Sequence, residues 1–449
     1  MSSFALPKQY DPSEVEPRWL RTWSANNYAH ADAAAPNVPY AITLPPPNVT
    51  GSLHMGHALG STLQDVLIRW RRMQGFNAMW MPGTDHAGIA TQMLVERDLK
   101  RRDGKSRHDL GRDAFIQRVW AWKERFGGRI ASQLQLMGFS LDWERERFTM
   151  DDASSAAVRE AFVRLHEGGL IYRARRLINW CTSCFTALSD LEVENLDEPG
   201  SLWQLQYPVV GSDMRITVAT TRPETMLGDT GVAVHPDDER YRDLIGKMVK
   251  LPLTGREIPI VADTFVDPAF GSGAVKVTPG HDFNDFECGA RCGLEVLSIL
   301  DLHGRVVAPA PAKYVGMTVE AARLAVVDDL EAEGLLAGRE AYTVPRGRCD
   351  RCKTVVEPLV SAQWFVKTTP LAAPAIEAVV SGRTRFVPEL WGKTYMHWMT
   401  NIKDWCISRQ LWWGHRIPAW YCDSCDQIAV ARTAPVACPG CGGKALRQD

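Results

Sequence analysis

Two histidines three residues apart are the first candidates for chemistry, in the segment GSLHMGH at residues 51–57. A buried strand is predicted just before it, at residues 40–44 (YAITL), and a helical apolar pattern begins at His57. The N-terminus of a helix offers free N–H groups and partial positive charge, which suit phosphate, and His54 and His57 can add donors. Because Gly56 lacks a Cβ atom, a flat base could pack against the backbone there. The pattern therefore favours a nucleotide site, with two solvated loop histidines as the alternative.

A second candidate site is PGTDHAG at residues 82–88, directly after the predicted strand at residues 77–81. Open α/β sheets bind ligands at the carboxyl ends of their strands. Asp85 could accept a ligand ammonium group there, or it could cap the helix that is predicted to begin near Ala87. The order strand, glycine loop, helix, strand, loop, helix predicts an α/β fold with a doubly wound parallel sheet.

The spacing of the cysteines indicates metal binding. Eight of the eleven form CxxC pairs, which are Cys181/Cys184, Cys349/Cys352, Cys422/Cys425 and Cys438/Cys441. The last two pairs have 12 residues between them and predict one four-cysteine zinc site, while the first two flank a β-rich stretch and could share a second zinc ion. A redox dithiol is the alternative. Cys288 and Cys292 lie four residues apart on a predicted helix and are interpreted as small apolar core residues.

The composition is that of a globular protein long enough for about three domains. The chain has 449 residues, of which 45% are hydrophobic and 23% charged, so a disordered or coiled-coil chain is not expected. No apolar run is long enough for a transmembrane helix, and the first residues contain no secretory h-region, so we expect a cytoplasmic protein without a membrane partner. Because the net charge is −2, any nucleic acid must be bound by local basic patches.

Five segments together resemble the valyl-tRNA synthetases, a family of class I aminoacyl-tRNA synthetases. They are PPPNVTGSLHMGHAL, MPGTDHAGIATQ, TTRPETMLGDTGVAVHP, GSGAVKVTPGHDFND and DWCISRQLWWGHRIP, which span residues 45–418 in the family's order. The HMGH element alone is shared with other class I enzymes and related nucleotidyltransferases, whereas PPPNVTG and WWGH disfavour an isoleucyl or leucyl relative. The resemblance implies that ATP, with Mg²⁺, activates valine as valyl-adenylate, and that the valyl group then passes to tRNA(Val).

The same resemblance implies roles for individual residues. His54 and His57 would contact the ATP phosphates, Gly56 would seat the adenine, and Asp85 would bind the valine ammonium group. The segments that would shape the amino-acid pocket contain Pro46, Asn48 and Trp413. We nevertheless expect one of the two adjacent tryptophans, at positions 412 and 413, to be ordinary core.

Under this resemblance the β-rich stretch would be an editing insertion. An apolar pocket discriminates poorly between valine and the nearly isosteric threonine, so a second, hydrolytic site must remove threonine from the tRNA. The matching segments offer the editing-pocket candidates Thr220, Thr221, Arg222, Glu224, Phe270, Lys276, Thr278, Asp282 and Asp285. Asp282 and Asp285 are interpreted as ammonium and hydroxyl ligands, with Asp285 nearest the chemistry. The alternative is a helix cap plus a solvated side chain.

The predicted organisation places a Rossmann-type catalytic domain on both sides of the editing insertion. The segments are residues 1–180 (N-terminal segment and first part of the catalytic domain), 181–200 (first half of a zinc module), 201–345 (editing domain), 346–420 (return to the catalytic domain) and 421–449 (second zinc knuckle). The family's lysine-rich KMSKS-type loop and anticodon-binding domain are not found in these segments. We therefore expect a monomeric N-terminal portion that forms valyl-adenylate poorly. The alternatives are a free-standing editing deacylase and an inactive zinc-containing tRNA-binding remnant.

Overall fold

The computed structural model describes residues 9–449, which form two compact units. Unit 1 comprises the chain up to Arg164 together with Leu411–Asp449, and unit 2 comprises Leu165–Gln410. The helices are, in chain order, α1 (Pro12–Ala25), α2 (Met55–Met73), α3 (Gly88–Asp103), α4 (Arg107–Leu110), α5 (Arg112–Leu136), α6 (Asp152–Glu167), α7 (Phe283–Cys292), α8 (Val319–Ala332), α9 (Thr369–Val380) and α10 (Trp391–Thr400).

The strands alternate with these helices in unit 1 and dominate unit 2. They are β1 (Pro39–Thr43), β2 (Asn77–Met81), β3 (Gly83–Thr84), β4 (Arg147–Phe148), β5 (Ile171–Cys181), β6 (Thr186–Leu188), β7 (Val193–Pro208), β8 (Arg215–Thr220), β9 (Gly231–Val234), β10 (Met248–Lys250), β11 (Glu257–Ala262), β12 (Ala274–Val277), β13 (Leu336–Cys349), β14 (Val356–Val366), β15 (Trp405–Cys406), β16 (Ala419–Cys422), β17 (Ile428–Val430) and β18 (Leu446–Gln448). The predicted mixed α/β class is confirmed.

In unit 1, two parallel strands lead into the first candidate site. β1 and β2 pair in parallel register over five residues each, and α2 connects them. β2 has the bounds that the sequence predicts, whereas α2 begins two residues before the predicted helix because His54 acts as its N-cap. β3 and β4 also pair in parallel. Gly83 is required there, because a Cβ atom would lie 2.9 Å from the carbonyl oxygen of Arg147.

The core of unit 1 consists of two apolar clusters, and α5 contributes to both. One cluster comprises Leu44, Ile68, Trp80, Ile130, Leu134, Phe139 and Leu141. The other comprises Val49, Val95, Leu99, Phe115, Val119, Phe148 and Trp413. The apolar residues whose spacing predicts α2, by contrast, are largely exposed within the described part of the chain, with Leu59, Leu63, Val66, Leu67 and Trp70 among them. The spacing that identifies this helix therefore does not mark a face buried in unit 1.

Unit 2 contains three antiparallel or mixed sheets around one large apolar cluster. Their strand orders are β13-β7-β8, β10-β11-β9-β12 and β15-β14-β5-β6. Strands β8 to β12 lie wholly within the predicted β-rich stretch at residues 201–345. Helix α7 packs on a smaller cluster that includes Val277 and Cys288. Along the chain, the two compact units meet between residues 164 and 165 and between residues 410 and 411. These positions differ from the domain boundaries predicted from the sequence, which remain untested predictions.

No helix among residues 9–449 combines the length and the apolar character that crossing a bilayer requires.

Candidate functional site

The two histidines of the first candidate site cap the N-terminus of α2. The backbone N–H of Gly56 donates to Nδ1 of His54 at 3.1 Å, and the backbone N–H of His54 donates to Nδ1 of His57 at 3.3 Å. The two rings lie 4.0 Å apart between their centroids. Gly56 permits this arrangement, because a Cβ atom there would lie 3.0 Å from Cε1 of His54.

This capping pattern assigns the protons of both rings. Since each Nδ1 accepts a backbone hydrogen bond, the neutral imidazole carries its proton on Nε2. Burial and the neighbouring His54 lower the pKa of His57, which favours the neutral ring. His54 is exposed and His57 half-buried. The site therefore presents Nε2–H donors beside the free N–H groups of a helix N-terminus, a combination that suits phosphate oxygens.

Asp85 lies beside the loop that follows β1, as the sequence predicts for the carboxyl ends of these strands. Its backbone forms a parallel bridge with Asn48, and Val49 N–H donates to its carbonyl oxygen at 3.0 Å. Its carboxylate Oδ1 accepts hydrogen bonds from Ala87 N–H at 3.2 Å and from the Thr149 hydroxyl at 3.0 Å. The side chain remains 34% exposed, so it is available to a cationic ligand while it also braces the start of α3.

Trp413 contacts this region as a fully buried side chain. Its indole N–H donates to the carbonyl oxygen of His86 at 2.8 Å, and its ring packs edge-on against Trp120 at 5.1 Å. Trp413 is thus the core member of the tryptophan pair. The remaining candidates of the amino-acid pocket, Pro46 and Asn48, are both exposed.

In unit 2, Asp285 is the buried acid among the editing-pocket candidates. It lies in the first turn of α7 and is 6% exposed, and its Oδ2 accepts the backbone N–H of Thr278 at 2.8 Å. Burial and the charge of Asp282 raise the pKa of Asp285 to about 7. A carboxyl group with such a pKa can accept or donate a proton near neutrality, which a hydrolytic reaction requires.

Asp282 caps α7. Its Oδ1 accepts the backbone N–H groups of Asn284 at 2.8 Å and Asp285 at 3.2 Å, and the residue itself is exposed. The helix-cap alternative therefore describes its contacts, and its charge acts on Asp285 through proximity. A role in binding a substrate ammonium group stays a prediction.

Lys276 and Thr278 belong to a buried network around Asp229. The Lys276 ammonium group donates to Thr225 Oγ1 at 2.8 Å, to Asp229 Oδ1 at 3.2 Å and to the hydroxyl of Thr278. Asp229 also accepts from the Tyr207 hydroxyl at 2.7 Å and from the Thr278 hydroxyl. The three donors of the ammonium group are thereby used within the protein, so its contacts here are those of a residue that positions Thr278.

Arg222 and Glu224 belong to a second network, which contains two acids and two arginines. Arg222 contacts Glu224 at 3.4 Å, forms a very short ion pair with Glu357, and donates to the carbonyl oxygen of His281 at 3.1 Å. Arg323 donates two hydrogen bonds of 2.8 Å to Glu224. Although burial opposes it, these guanidinium groups lower the pKa of Glu224, which is 1% exposed.

The other editing-pocket candidates are less closely engaged. The Thr220 hydroxyl accepts the backbone N–H of Arg222 at 3.0 Å, and Thr221 is half-buried. Phe270 is 49% exposed and lies 6.2 Å from the ring of Tyr342. The direct contacts among the candidates therefore join Arg222 to Thr220 and Glu224. They also join Asp285 to Asp282 and Thr278, and Thr278 to Lys276.

The eight cysteines of the CxxC pairs form two four-cysteine clusters, and all eleven cysteines are free thiols. The first cluster joins Cys181 and Cys184 to Cys349 and Cys352 in unit 2, with Cys181 Sγ 3.4 Å from Cys352 Sγ. The second joins Cys422 and Cys425 to Cys438 and Cys441 in unit 1, with cross-pair sulfur distances of 3.6 Å and 3.7 Å.

All four CxxC pairs share one backbone turn. In each, the fourth residue after the first cysteine donates its N–H to that cysteine's carbonyl oxygen, at 2.9–3.0 Å, and has a positive φ. These residues are Phe185, Lys353, Asp426 and Gly442, with φ of 54°, 63°, 56° and 71°. A non-glycine residue pays a conformational penalty in this region. Its recurrence at three non-glycine positions indicates a local geometry imposed in common on the four pairs.

The comparison with known families decides the membership of the chain. The family described as "tRNA synthetases class I (I, L, M and V)" matches residues 18–437. The chain belongs to this family of class I tRNA synthetases.

Relatives of this class I synthetase chain are similar over its whole length. A valine–tRNA ligase of Syntrophotalea carbinolica is 59% identical, with 99% of this chain and 49% of the relative covered. One of Geobacter sulfurreducens is 59% identical, with 100% and 50% covered, and one of Carboxydothermus hydrogenoformans is 54% identical, with 99% and 50% covered. The chain thus spans about half the length of these curated relatives.

Sequence reasoning did not identify several members of the buried networks of this class I chain. Asp229 and His281 lie inside the quoted segments TTRPETMLGDTGVAVHP and GSGAVKVTPGHDFND, where each directly follows a glycine. His281 accepts from Ile299 N–H at 2.9 Å and lies 3.1 Å from the carbonyl oxygen of Pro358, and burial lowers its pKa to about 3. Arg323 and Glu357 lie outside those segments and are recognisable only by their contacts.

Proposed function

We propose that this chain carries the amino-acid-activating site and the editing insertion of a valine–tRNA ligase. The observation that carries the proposal is the pair of capping histidines, which presents Nε2–H donors at the N-terminus of α2. The names of the relatives, together with their identities of 59%, 59% and 54%, support valine as the amino acid and tRNA(Val) as the acceptor. The β1-α2-β2 unit, with its parallel strands, supports a Rossmann-type, doubly wound catalytic domain.

Activation would proceed by positioning and charge stabilisation. His54, His57 and the N–H groups of α2 would donate to ATP phosphate oxygens. Negative charge increases there as the valine carboxylate attacks the α-phosphorus and pyrophosphate leaves. Asp85 would hold the valine ammonium group through its partly exposed carboxylate, and Trp413 would keep the floor of the pocket rigid and dry. Mg²⁺ bound with ATP supplies neutralisation of the triphosphate charge. No side chain of the chain has to form a covalent bond in this step.

Editing would use Asp285 in unit 2. With a pKa near 7, its carboxylate can accept a proton from a water molecule or from the threonine hydroxyl of threonyl-tRNA(Val). Thr278 fixes the carboxylate through its backbone N–H, and Lys276 and Asp229 fix Thr278. Arg222 and Glu224 would form the adjoining wall, braced by Arg323 and Glu357.

The two four-cysteine clusters would each hold a structural zinc ion. Sulfur atoms placed about 2.3 Å from zinc in a regular tetrahedron lie about 3.8 Å from one another. The cross-pair distances of 3.4 Å, 3.6 Å and 3.7 Å are close to this value, so the donor set fits the ion. In unit 2 the cluster would join the turn after β5 to the turn after β13. Zinc there supplies a cross-link between two distant parts of the chain.

The proposal is tested by binding of valyl-sulfamoyl-adenosine, a non-reactive analogue of valyl-adenylate, in calorimetry. The chain should bind it, and it should bind the isoleucyl analogue more weakly. Substituting His57→Ala should weaken binding, whereas the control His397→Ala, at an exposed position on α10, should not. Absence of binding to the unsubstituted chain would contradict the activation site.

A free-standing deacylase is the second candidate function, favoured by the self-contained core of unit 2. Hydrolysis of threonyl-tRNA(Val) separates the two. A chain that hydrolyses this substrate but does not bind valyl-sulfamoyl-adenosine would be a deacylase, whereas a chain that does both would be the ligase proposed here. A chain that binds tRNA(Val) and does neither would be a binding remnant.

A further inference from the structure

Unit 2 also holds a group of potential metal ligands that shares no residue with the two CxxC clusters. Cys288 and Cys292 are one turn apart on α7, and Asp263 directly follows β11. Their potential ligand atoms, two sulfurs and a carboxylate oxygen, all lie within 4.8 Å of one another. The end of a strand thus brings a carboxylate next to two thiols of one helix. The interpretation of the two cysteines as mere apolar core residues does not account for the carboxylate.

The cluster lies at the edge of an apolar core and opens on one side. Cys288 is fully buried against Ala233, Val266 and Val277. Cys292 is half-buried, and its sulfur lies 3.9 Å from Asp263 Oδ2 and 3.8 Å from the carbonyl oxygen of Ala262. A ligand could therefore reach the sulfurs through Cys292 without disturbing the apolar contacts of Cys288.

Asp263 is already oriented and already paired with a cation. Its Oδ1 accepts the backbone N–H of Phe265 at 3.0 Å, which fixes the plane of the carboxylate. Its Oδ2 accepts from Arg291 Nε at 2.8 Å. Asp263 is buried, while the Arg291 side chain is 49% exposed and lies 4.0 Å from Glu287. The guanidinium group can therefore move into solvent, where Glu287 offers it another partner.

We propose that Asp263, Cys288 and Cys292 form a third metal site, which takes a thiophilic divalent cation of the Zn²⁺ or Cd²⁺ class. Binding replaces two thiol protons and the Arg291 contact by two metal–sulfur bonds and one metal–oxygen bond. Three protein ligands leave a fourth coordination position to water. The site differs in this respect from the four-cysteine clusters, whose ligand sets are complete. The ion should accordingly exchange with solution far more readily than the two structural ions.

The test is a zinc titration of the intact chain against a chromophoric chelator. Two zinc ions should resist the chelator, and a third equivalent should be released by it and bind again on addition of Zn²⁺ alone. Alkylation of Cys292 by iodoacetamide, followed by peptide mass, should be slower when the third equivalent is bound. The double substitution Cys288→Ser, Cys292→Ser should abolish the third equivalent and keep the other two. The matched control Cys406→Ser, at a buried cysteine outside all clusters, should keep all three.

Two further variants guard against a simple folding defect. Asp263→Asn keeps both thiols and should lower the affinity for the third zinc ion at least tenfold. Arg291→Gln removes the guanidinium group that competes for Asp263 and should raise the affinity for the third zinc ion. The proposal is overturned if no exchangeable equivalent is found, if the serine variants retain it, or if Arg291→Gln weakens it. A mass loss of two hydrogens confined to the Cys288–Cys292 peptide, in purified protein analysed without added reductant, would also overturn it, since it would identify a disulfide.

Discussion

Replacing Asp285 by Asn should abolish hydrolysis of threonyl-tRNA(Val) and at the same time stabilise unit 2 at alkaline pH. Asp285 is 6% exposed, and its ordinary pKa of 3.8 is raised to about 7 by burial and by the charge of Asp282. The folded chain therefore keeps this proton between pH 3.8 and about pH 7, whereas the unfolded chain has lost it. The contribution of this group to stability is greatest below pH 3.8 and is lost as the pH rises through about 7.

The magnitude follows from the two pKa values. Each pKa unit corresponds to about 1.4 kcal/mol, so the difference between 3.8 and about 7 costs the folded state about 4 kcal/mol above pH 7. Asn has the shape of the protonated acid, and its Oδ1 can still accept the N–H of Thr278. We therefore expect Asp285→Asn to raise the free energy of unfolding of unit 2 by up to about 4 kcal/mol at pH 8, and by almost nothing at pH 4.

The measurement is urea unfolding at pH 4, 6 and 8, followed by pulse hydrogen exchange at one fixed labelling pH in peptides that cover residues 274–292. This readout reports on unit 2 alone, which matters because a chain of two units need not unfold in one step. Glu287→Gln is the matched control, since Glu287 is an exposed acid on the same helix. Asp282→Asn keeps an N-cap residue but removes part of the cause of the raised pKa, so it should stabilise unit 2 at pH 8 by less than Asp285→Asn. Hydrolysis of threonyl-tRNA(Val) by the parent chain should rise with pH through about 7 and vanish in the Asn variant. A variant less stable than the parent at pH 8 would refute the reasoning, because the carboxylate would then be stabilised by its surroundings.

Three further outcomes are expected. Arg323→Gln removes a two-point partner from the buried Glu224 carboxylate and should destabilise unit 2 by about 3–5 kcal/mol in the same urea assay, whereas an unchanged midpoint would argue against the network. His54→Asn keeps a cap acceptor but loses the Nε2–H donor, so the thermal stability should hold while ATP affinity in calorimetry falls roughly tenfold. His54→Ala should in addition lower the free energy of unfolding by about 1 kcal/mol, because it removes the cap. If both variants bind ATP as tightly as the parent, His54 does not contact ATP. Gly442→Ala places alanine at a φ of 71° beside Cys441 and should destabilise the CxxC turn by about 1–2 kcal/mol. Zinc should then be released at a lower temperature on heating. Release at the temperature of the parent would contradict this.

Local signals explain what could be predicted from the sequence. β2 at residues 77–81 follows from a short apolar run between turn residues, and the start of α2 at the histidines follows from a glycine loop before a helical pattern. The four CxxC turns are equally local, since each is closed by one backbone hydrogen bond over four residues. Local signals do not show which CxxC pairs come together, because Cys181 and Cys352 are 171 residues apart. The sequence therefore indicates only that the two pairs of unit 2 could share one ion.

The contacts of Lys276 could not be predicted from the sequence, because they depend on a pairing of distant strands. A lysine between apolar residues in VKVTP can equally reach out to a substrate or inward to a buried acid, and both arrangements have the same alternating pattern. The choice depends on Asp229, which is 47 residues away in sequence and becomes a neighbour only when β9 and β12 pair antiparallel. With Asp229 in place, the ammonium group gains one carboxylate and two hydroxyl acceptors, and a substrate would have to compete with all three. Lys276 therefore acts on the candidate site through Thr278, whose backbone N–H holds Asp285, and its role follows from strand pairing and not from its own position in the chain.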